Sequence, residues 1–205
     1  MGVTWTFQKL KYETDKSADA FVKSGLKLGD TVLIGVSNCP EAVTILLALN
    51  KIGVVSKWFD IRSEGKDIEK IANSSKCRYL IAFDMLLPKI QPILDDTCIE
   101  KVLVLRPTDS LCLIPRIIYM LKAKQLPKDL RYLKFKDFVK NGDATAEVPC
   151  VPFDKVRPSI MIQSSGTTGK PKTIVHSDFS ATSCAQKVAY ADLPIEPGKE
   201  LLVLL

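Results

Sequence analysis

Residues 162–173 are the most informative stretch of this chain, and they read Ile-Gln-Ser-Ser-Gly-Thr-Thr-Gly-Lys-Pro-Lys-Thr. The nine residues 164–172 contain two glycines, four hydroxyl side chains and two lysines, and apolar, strand-like sequence lies on both sides. Glycine lets backbone N–H groups turn toward an anion, hydroxyls add neutral donors, and lysine adds a mobile positive charge. The stretch therefore predicts a hairpin whose tip wraps a polyphosphate.

The P-loop of the common nucleotide hydrolases is the first alternative, and its spacing does not fit. That loop needs a glycine, four residues, and then Gly-Lys-Ser/Thr opening a helix. Here Gly169 and Lys170 are followed by Pro171, and the position five before Gly169 is Ser164. Proline also removes a backbone donor and fixes φ, so the loop cannot run directly into a helix. This is a different kind of phosphate loop.

The stretch resembles the signature loop of the adenylate-forming family, also called the AMP-binding or acyl-CoA synthetase family. That signature reads Ser/Thr-Ser-Gly-Thr-Thr-Gly-x-Pro-Lys-Gly, and residues 164–172 match it almost completely. The alternative of a plain Ser/Gly-rich surface hairpin is much less favoured, because so many restricted positions rarely fall in order by chance. Thr173 departs from the family glycine; its β-branched side chain favours a strand and should stiffen the exit of the loop.

The resemblance implies a set of phosphate-contacting residues, although it identifies no certain catalytic residue and no metal ligand within this chain. Lys172 matches the family's Pro-Lys, whereas Lys170 occupies a variable position and is expected to add only long-range attraction. His176 follows the loop at a distance where many acyl-CoA synthetases carry a histidine, but a structural role is favoured for it. The expected phosphate contacts otherwise come from Ser164, Ser165, Gly166, Thr167, Thr168 and Gly169.

The family's chemistry joins a carboxylate to the α-phosphate of ATP, releases pyrophosphate, and then passes the acyl group to a thiol. The resemblance implies ATP and Mg²⁺ as cofactors, and coenzyme A or a carrier-protein thiol as acceptor. The loop would hold the phosphates in line and stabilise the departing charge, which Mg²⁺ would share. A second hypothesis is a non-catalytic adenylation-like module that binds a nucleotide or a partner. Thr173 and the unusual run at residues 57–60, Lys-Trp-Phe-Asp, support it.

Strand-like and helix-like segments alternate through the first half of the chain. Apolar recurrence at Phe7, Leu10, Thr14, Ala18 and Phe21 predicts an amphipathic helix ending near Gly25. Buried strands are predicted at 31–36, from Val54 onward, at 78–83 and at 101–105, with helices at 42–52, at 67–72 and, interrupted by two prolines, at 85–94. The alternation predicts an α/β fold with a parallel-rich sheet flanked by helices on both faces.

The second half of the sequence is less regular. Residues 122–158 are predicted to be mostly irregular, with a short strand and helix at 132–139, and Ser177 should cap a helix running to about Tyr190. The chain ends on the apolar run 201–205, which is typical of a buried strand. We therefore expect residues 1–205 to be a partial N-terminal AMP-binding domain. By resemblance, the adenine, ribose and magnesium sites lie in later segments, so this chain alone should not form an acyl-adenylate.

Composition sets further limits. The chain has 205 residues, 46% of them hydrophobic, and a net charge of +6, which is modest. No nucleic-acid reading module accompanies the lysines. Six scattered cysteines, a single histidine and no signal peptide favour reduced thiols in the cytoplasm and no metal cluster. The apolar stretch 111–121 is too short to be a transmembrane segment and is expected to be an insertion helix that covers part of the sheet. Resting on a membrane surface and packing against an acyl-chain binding region are the less favoured alternatives.

Overall fold

The computed structural model describes residues 4–106, 126–164 and 172–190. The longer helices are α1 (Phe7–Lys23), α2 (Pro40–Lys51), α3 (Gly65–Ser74) and α6 (Asp178–Tyr190). Two short helices are α4 (Leu87–Ile90) and α5 (Phe135–Val139). The strands are β1 (Thr31–Gly35), β2 (Val55–Trp58), β3 (Tyr79–Phe83), β4 (Lys101–Leu105), β5 (Tyr132–Lys134), β6 (Pro158–Gln163) and β7 (Thr173–Ser177).

All seven strands belong to one sheet, in the order β5-β4-β3-β1-β2-β6-β7. Strands β1 to β6 run parallel, and β7 returns antiparallel to β6. The predicted parallel-rich α/β fold is therefore confirmed. Because parallel strands end at the same edge of a sheet, the segments that follow β1, β2 and β6 lie side by side.

Two apolar clusters cover the two faces of the sheet. One cluster joins α1, α2 and α5 to side chains such as Ile34, Ile81 and Leu103. The other joins α3 and the segment after β3 to Leu33, Leu80 and Val102. Neighbouring residues on β1, β3 and β4 thus point to opposite clusters, as expected for strands buried on both faces.

Helix α1 follows its predicted pattern except at its first turn. Thr14, Ala18 and Phe21 are buried, and Gly25 follows the helix with φ of 94°, a backbone angle that favours glycine. Phe7, predicted to face the core, is instead 90% exposed. Leu10, one turn later, is only half-buried, so the packed face of α1 begins at Thr14, and Phe7 lies too early in the helix to reach the core.

The other elements follow the sequence closely. Helix α2 begins at Pro40, two residues before the predicted start, and its capping residue is Cys39, whose side chain makes no cap hydrogen bond. Between Asp84 and Asp96 two 3₁₀ turns flank α4, as the prolines there predicted. The strand and helix expected at 132–139 are β5 and α5. The predictions for residues 111–121 and 201–205 lie outside the described residues.

Candidate functional site

A cavity of about 400 Å³ opens at the carboxyl edge of the sheet, beside the ends of β1, β2 and β6. Open α/β sheets bind ligands at this edge. Apolar side chains form one part of the wall and polar groups the other, so a ligand with both characters would fit. The lining residues are Val36, Trp58, Phe59, Asp60, Ser63, Ile162, Gln163 and Ser164.

Ser164 and Lys172 form the neck from which the predicted phosphate loop emerges. The Ser164 N–H donates to the Lys172 carbonyl over 2.8 Å, and the Lys172 N–H donates to the Ser164 hydroxyl over 3.0 Å. The structure thus brings two of the predicted site residues together at the cavity edge. Ser165, Gly166, Thr167, Thr168, Gly169 and Lys170 lie outside the described residues.

The neck changes the role expected for Ser164. Its hydroxyl accepts a backbone hydrogen bond within the hairpin, so one of its lone pairs already holds the two ends of the loop together. The hydroxyl proton is still available for a ligand, because an accepting hydroxyl retains its donor. Thr173, just beyond Lys172, begins β7 and pairs with Gln163. This is the strand position that its β-branched side chain predicted.

The opposite end of the hairpin is fixed by a buried ion pair. Arg157 Nη2 lies 2.6 Å from Asp178 Oδ2, and their side chains are 14% and 6% exposed. The Asp178 N–H also donates to the Arg157 carbonyl over 3.1 Å. Asn50, at the end of α2, donates to Ser159 Oγ over 2.5 Å and lies 3.5 Å from Asp178 Oδ1. These contacts tie β6 and the first residue of α6 to α2.

This network was not predicted from the sequence, which indicated only a cap at Ser177 in this region. Nothing in the spacing could have revealed it, because Asn50 and Asp178 are separated by 128 residues. The expected cap is present, however: the Ser177 hydroxyl accepts from the Ser180 N–H over 3.3 Å. Ser177 therefore caps the start of α6, and Asp178 closes the base of the hairpin.

His176 is half-buried on β7, where it pairs with Ile160. Its Nδ1 lies 3.3 Å from Ser180 Oγ in the first turn of α6. His176 lies three positions after Thr173 on the extended strand, a distance of roughly 10 Å along the chain. This contact supplies the hydrogen-bond partner that a structural histidine needs, and any part for His176 in a reaction stays a prediction.

Strand β2 carries an unusual buried cation. Lys57 is 4% exposed, and its amine donates to the Ser75 hydroxyl just after α3. Burial lowers the pKa of Lys57, because the charged amine loses water. Its neighbour Trp58 lines the cavity, and the Trp58 indole N–H donates to Ser56 Oγ over 3.0 Å. The unusual run at 57–60 thus contains one buried amine, that of Lys57, and three residues that line the cavity, Trp58, Phe59 and Asp60.

Asp60 and Arg62 form an exposed ion pair at the cavity rim. The Arg62 guanidinium donates to both Asp60 carboxylate oxygens, with Nη2 2.5 Å from Oδ2. Hydrogen bonds from Arg62 lower the pKa of Asp60 to about 2. The rim therefore carries a fixed pair of opposite charges near neutral pH.

The described parts of the chain contain neither a cluster of metal ligands nor a membrane-spanning helix. There, no group of three or more His, Cys, Asp or Glu side chains is arranged to hold a metal ion. Across the same residues, no helix has the length and apolar character needed to cross a bilayer.

Comparison with known proteins decides the family. The sequence matches the family described as "AMP-binding enzyme" over residues 1–205. The chain belongs to the AMP-binding enzyme family. This confirms the resemblance that the loop sequence suggested.

Individual members of the AMP-binding family are distant. Acetyl-coenzyme A synthetase from Rhodopirellula baltica is 26% identical over 174 residues, which cover 85% of this chain and 25% of that protein. Crotonobetaine/carnitine–CoA ligase from Salmonella enteritidis is 25% identical over 177 residues, covering 86% and 31%. The chain therefore spans between a quarter and a third of these relatives.

A solved structure shows the same fold. The crystal structure of the anthranilate CoA ligase AuaEII in complex with anthranoyl-AMP superimposes with a TM-score of 0.73 at 22% identity, covering 88% of this chain and 31% of that one. At this identity the match supports the AMP-binding fold alone.

Proposed function

We propose that the protein is an ATP-dependent carboxylate ligase that forms an acyl-adenylate and then transfers the acyl group to a thiol. The carboxylate oxygen bonds to the α-phosphorus as pyrophosphate leaves, and the thiol sulfur then bonds to the acyl carbon as AMP leaves. The observation that carries this proposal is the hairpin neck of Ser164 and Lys172 beside the open cavity at the carboxyl edge.

The loop is proposed to hold the β- and γ-phosphates. Backbone N–H groups and hydroxyls from Ser165 to Gly169 would donate to the phosphate oxygens, and the Lys172 ammonium would add charge. Ser164 would fix the two ends of the loop, so that the hydrogen-bond donors of the loop are already oriented before ATP binds. Lys170 is proposed to add only long-range attraction for the phosphates, and His176 is proposed to have mainly a structural role.

Mg²⁺, when bound, would share the negative charge of the triphosphate and of the departing pyrophosphate. The described residues offer no carboxylate cluster for this ion. No magnesium ligand is therefore assigned to the described residues, and the loop's own task is to orient and neutralise the phosphates.

Coenzyme A is the proposed acceptor, with a carrier-protein thiol as the alternative. Two curated relatives are named as CoA ligases or synthetases, and AuaEII was solved with an acyl-adenylate. Their named acids differ widely, so the carboxylate of this protein is left to a substrate panel. We further propose that the enzyme works in the cytoplasm, with its cysteines reduced and without nucleic acid as a partner.

The test is ATP–pyrophosphate exchange by the full-length protein with a panel of acetate, medium-chain, long-chain, aromatic and amino acids. At least one acid should support exchange, and Lys172→Ala should reduce it by about tenfold or more, as expected for the loss of one charge-assisted phosphate contact. Lys155→Ala removes another exposed lysine that lies outside the hairpin, and it should leave exchange unchanged. Tight ATP binding without exchange for any acid would favour the non-catalytic module instead.

The 205-residue chain is proposed to be the first part of the AMP-binding domain. Expressed alone, it should show no exchange with any acid that the full-length protein accepts. Exchange by the short chain would contradict this assignment, because the adenine and ribose contacts are expected from later segments.

A further inference from the structure

Helices α1 and α2 keep apolar side chains in contact with water. Phe7, in the first turn of α1, is 90% exposed, and Val43 and Leu47 of α2 are also exposed. The sheet-facing side chains of the same helices, such as Phe21 and Leu49, belong instead to the core. The exposed residues therefore contribute little to the packing of the fold.

These side chains form one surface across the two helices, which we call the α1–α2 patch (Trp5, Phe7, Val43 and Leu47). A mostly apolar cavity of about 210 Å³ joins the start of α1 to the start of α2. Leu47 lies one turn after Val43, so the apolar surface continues along α2. The residues that line the cavity are Trp5, Thr6, Phe7, Leu10, Pro40 and Val43.

Lysines border the α1–α2 patch on the side of α5. A second cavity, of about 350 Å³, adjoins the first at Trp5, which lines both. Lys9 Nζ lies 4.7 Å from the centroid of the Trp5 ring, so the ammonium group and the aromatic ring are in contact. Lysines outnumber carboxylates in this second cavity, whose charged lining residues are Lys9, Lys16, Lys136, Lys140, Glu13 and Glu41.

Two acidic side chains of α1 are turned inward and paired. Asp15 is buried and bonds Lys11 and Lys51 over 2.5 and 2.7 Å. Asp19 is also buried and lies 2.7 Å from Lys23. The ammonium groups of Lys11 and Lys23 are more exposed than the carboxylates they bond. An anionic surface that approaches α1 therefore meets lysines before it meets these carboxylates.

We infer that the α1–α2 patch binds the surface of an anionic lipid bilayer. Apolar side chains next to lysines suit such an interface, because rings enter the boundary between headgroups and acyl chains while ammonium groups stay with the lipid phosphates. The lysines also attract the negatively charged surface before contact. The exposure of Phe7 favours a bilayer over an acidic protein, since a projecting ring enters the headgroup layer without a fitted pocket.

The test is cosedimentation of the full-length protein with vesicles of phosphatidylcholine alone and of phosphatidylcholine mixed with phosphatidylserine. The wild type should bind the mixed vesicles at least about tenfold more strongly, since several lysines each gain from anionic lipid. Raising NaCl from about 0.1 M to about 1 M should reverse most of this gain, because the Debye length falls from about 10 Å to about 3 Å. No binding to the mixed vesicles, or equal binding to both kinds, would overturn the inference.

Phe7→Ser tests the apolar part of the patch. It should weaken binding to the mixed vesicles by about tenfold, because the ring no longer enters the interface. Leu130→Ser is the matched control, since Leu130 is 95% exposed just before β5, and it should leave binding unchanged. Both substitutions change exposed side chains, so the far-UV circular dichroism spectrum should stay that of the wild type. Equal binding by the two variants would contradict the role of Phe7.

Lys136→Glu tests the charged border. Reversing this exposed lysine should weaken binding to the mixed vesicles by about tenfold, since one attraction is replaced by a repulsion. Lys155→Glu makes the same charge change at an exposed position outside both cavities and should have a much smaller effect. Equal weakening by the two reversals would show that only net charge matters, and would overturn the assignment to this patch.

Other occupants of the patch give different results. Light scattering without lipid measures self-association of the wild type and of Phe7→Ser. A wild-type dimer that becomes a monomer in Phe7→Ser, with no vesicle binding, would assign the patch to a second copy of the chain. Retention on immobilised polyglutamate without vesicle binding would assign it to an acidic protein. Either result would overturn the inference of a lipid surface.

Discussion

The centre of the sheet and the β6–β7 hairpin are stabilised in different ways. Leu33, Ile81 and Val102 in the central strands are completely buried between two apolar clusters. Ile174 and Val175 of β7 are instead 47% and 51% exposed, and polar links hold the hairpin at both ends. The central sheet is therefore stabilised by the burial of apolar side chains, whereas the proposed phosphate hairpin is held by an ion pair and a few hydrogen bonds.

Truncating a buried aliphatic side chain in the central strands should have the largest effect. Ile81→Ala is expected to lower the free energy of unfolding by about 4 kcal/mol, because methylene burial is lost and a cavity is left. Val175→Ala, on the half-exposed hairpin strand, should cost less than about 1 kcal/mol. Urea unfolding followed by far-UV circular dichroism measures both. Equal losses would show that the hairpin is packed as tightly as the centre.

Breaking the buried ion pair should have the next largest effect. Asp178→Ala leaves the Arg157 side chain, which is only 14% exposed, without its carboxylate, and should cost about 3 kcal/mol. Asp67→Ala is the control, since Asp67 pairs with Lys70 at 3.7 Å on an exposed helix surface, and it should cost less than about 0.5 kcal/mol. A loss below that of the control would mean that the hairpin base does not depend on this pair.

Replacing the buried amine of β2 should be nearly neutral at pH 7. Lys57→Met removes the cost of burying a cation but leaves Ser75 without its donor, so the net change should be within about 1 kcal/mol. Because burial lowers the pKa of Lys57, the unfolded chain binds more protons than the folded chain below the ordinary lysine pKa. The stability of the wild type relative to Lys57→Met should therefore rise as the pH increases toward 10. Paired urea titrations at pH 7 and pH 10 measure this slope, and a falling difference would contradict it.

Removing the neck hydroxyl should have the smallest effect on stability. Ser164→Ala loses one partly exposed hydrogen bond and should cost less than about 1 kcal/mol, yet it should raise the KM for ATP, because the loop ends are less well fixed. Ser74→Ala removes a comparable hydrogen bond, 3.0 Å long, at the end of α3 and should leave the KM unchanged. An unchanged KM in both variants would remove Ser164 from the proposed site.

Sequence patterns predicted most helices and strands because each depends mainly on nearby residues. Apolar runs marked β1, β3 and β4, and Gly25, which has a positive φ, marked the end of α1. Thr173 marked the start of β7. The failure at Phe7 has the same origin: helical periodicity tells which face a residue is on, but it does not tell where along the helix the neighbouring elements begin.

Contacts between distant segments could not be predicted in this way. The pairing of β2 with β6 joins residues such as Ser56 and Ile160, and no local pattern specifies it. The buried amine of Lys57 depends on its hydrogen bond to Ser75. Asp178 closes the base of the hairpin through its contacts with Arg157 and Asn50. For the candidate site, the motif identified the neck residues, whereas the fold was needed to place the cavity beside them.

The two closures of the β6–β7 hairpin limit where its length can change. Arg157 with Asp178 and Ser164 with Lys172 each require a fixed number of residues along both strands. Inserting one residue within either strand would shift one closure relative to the other and turn alternate side chains to the wrong face. Insertions between Ser164 and Lys172 preserve both closures and add little closure entropy. The fold of this hairpin should therefore accommodate a change in length at its tip more readily than in its strands, whereas phosphate binding, which needs the spacing of residues 164–172, should not.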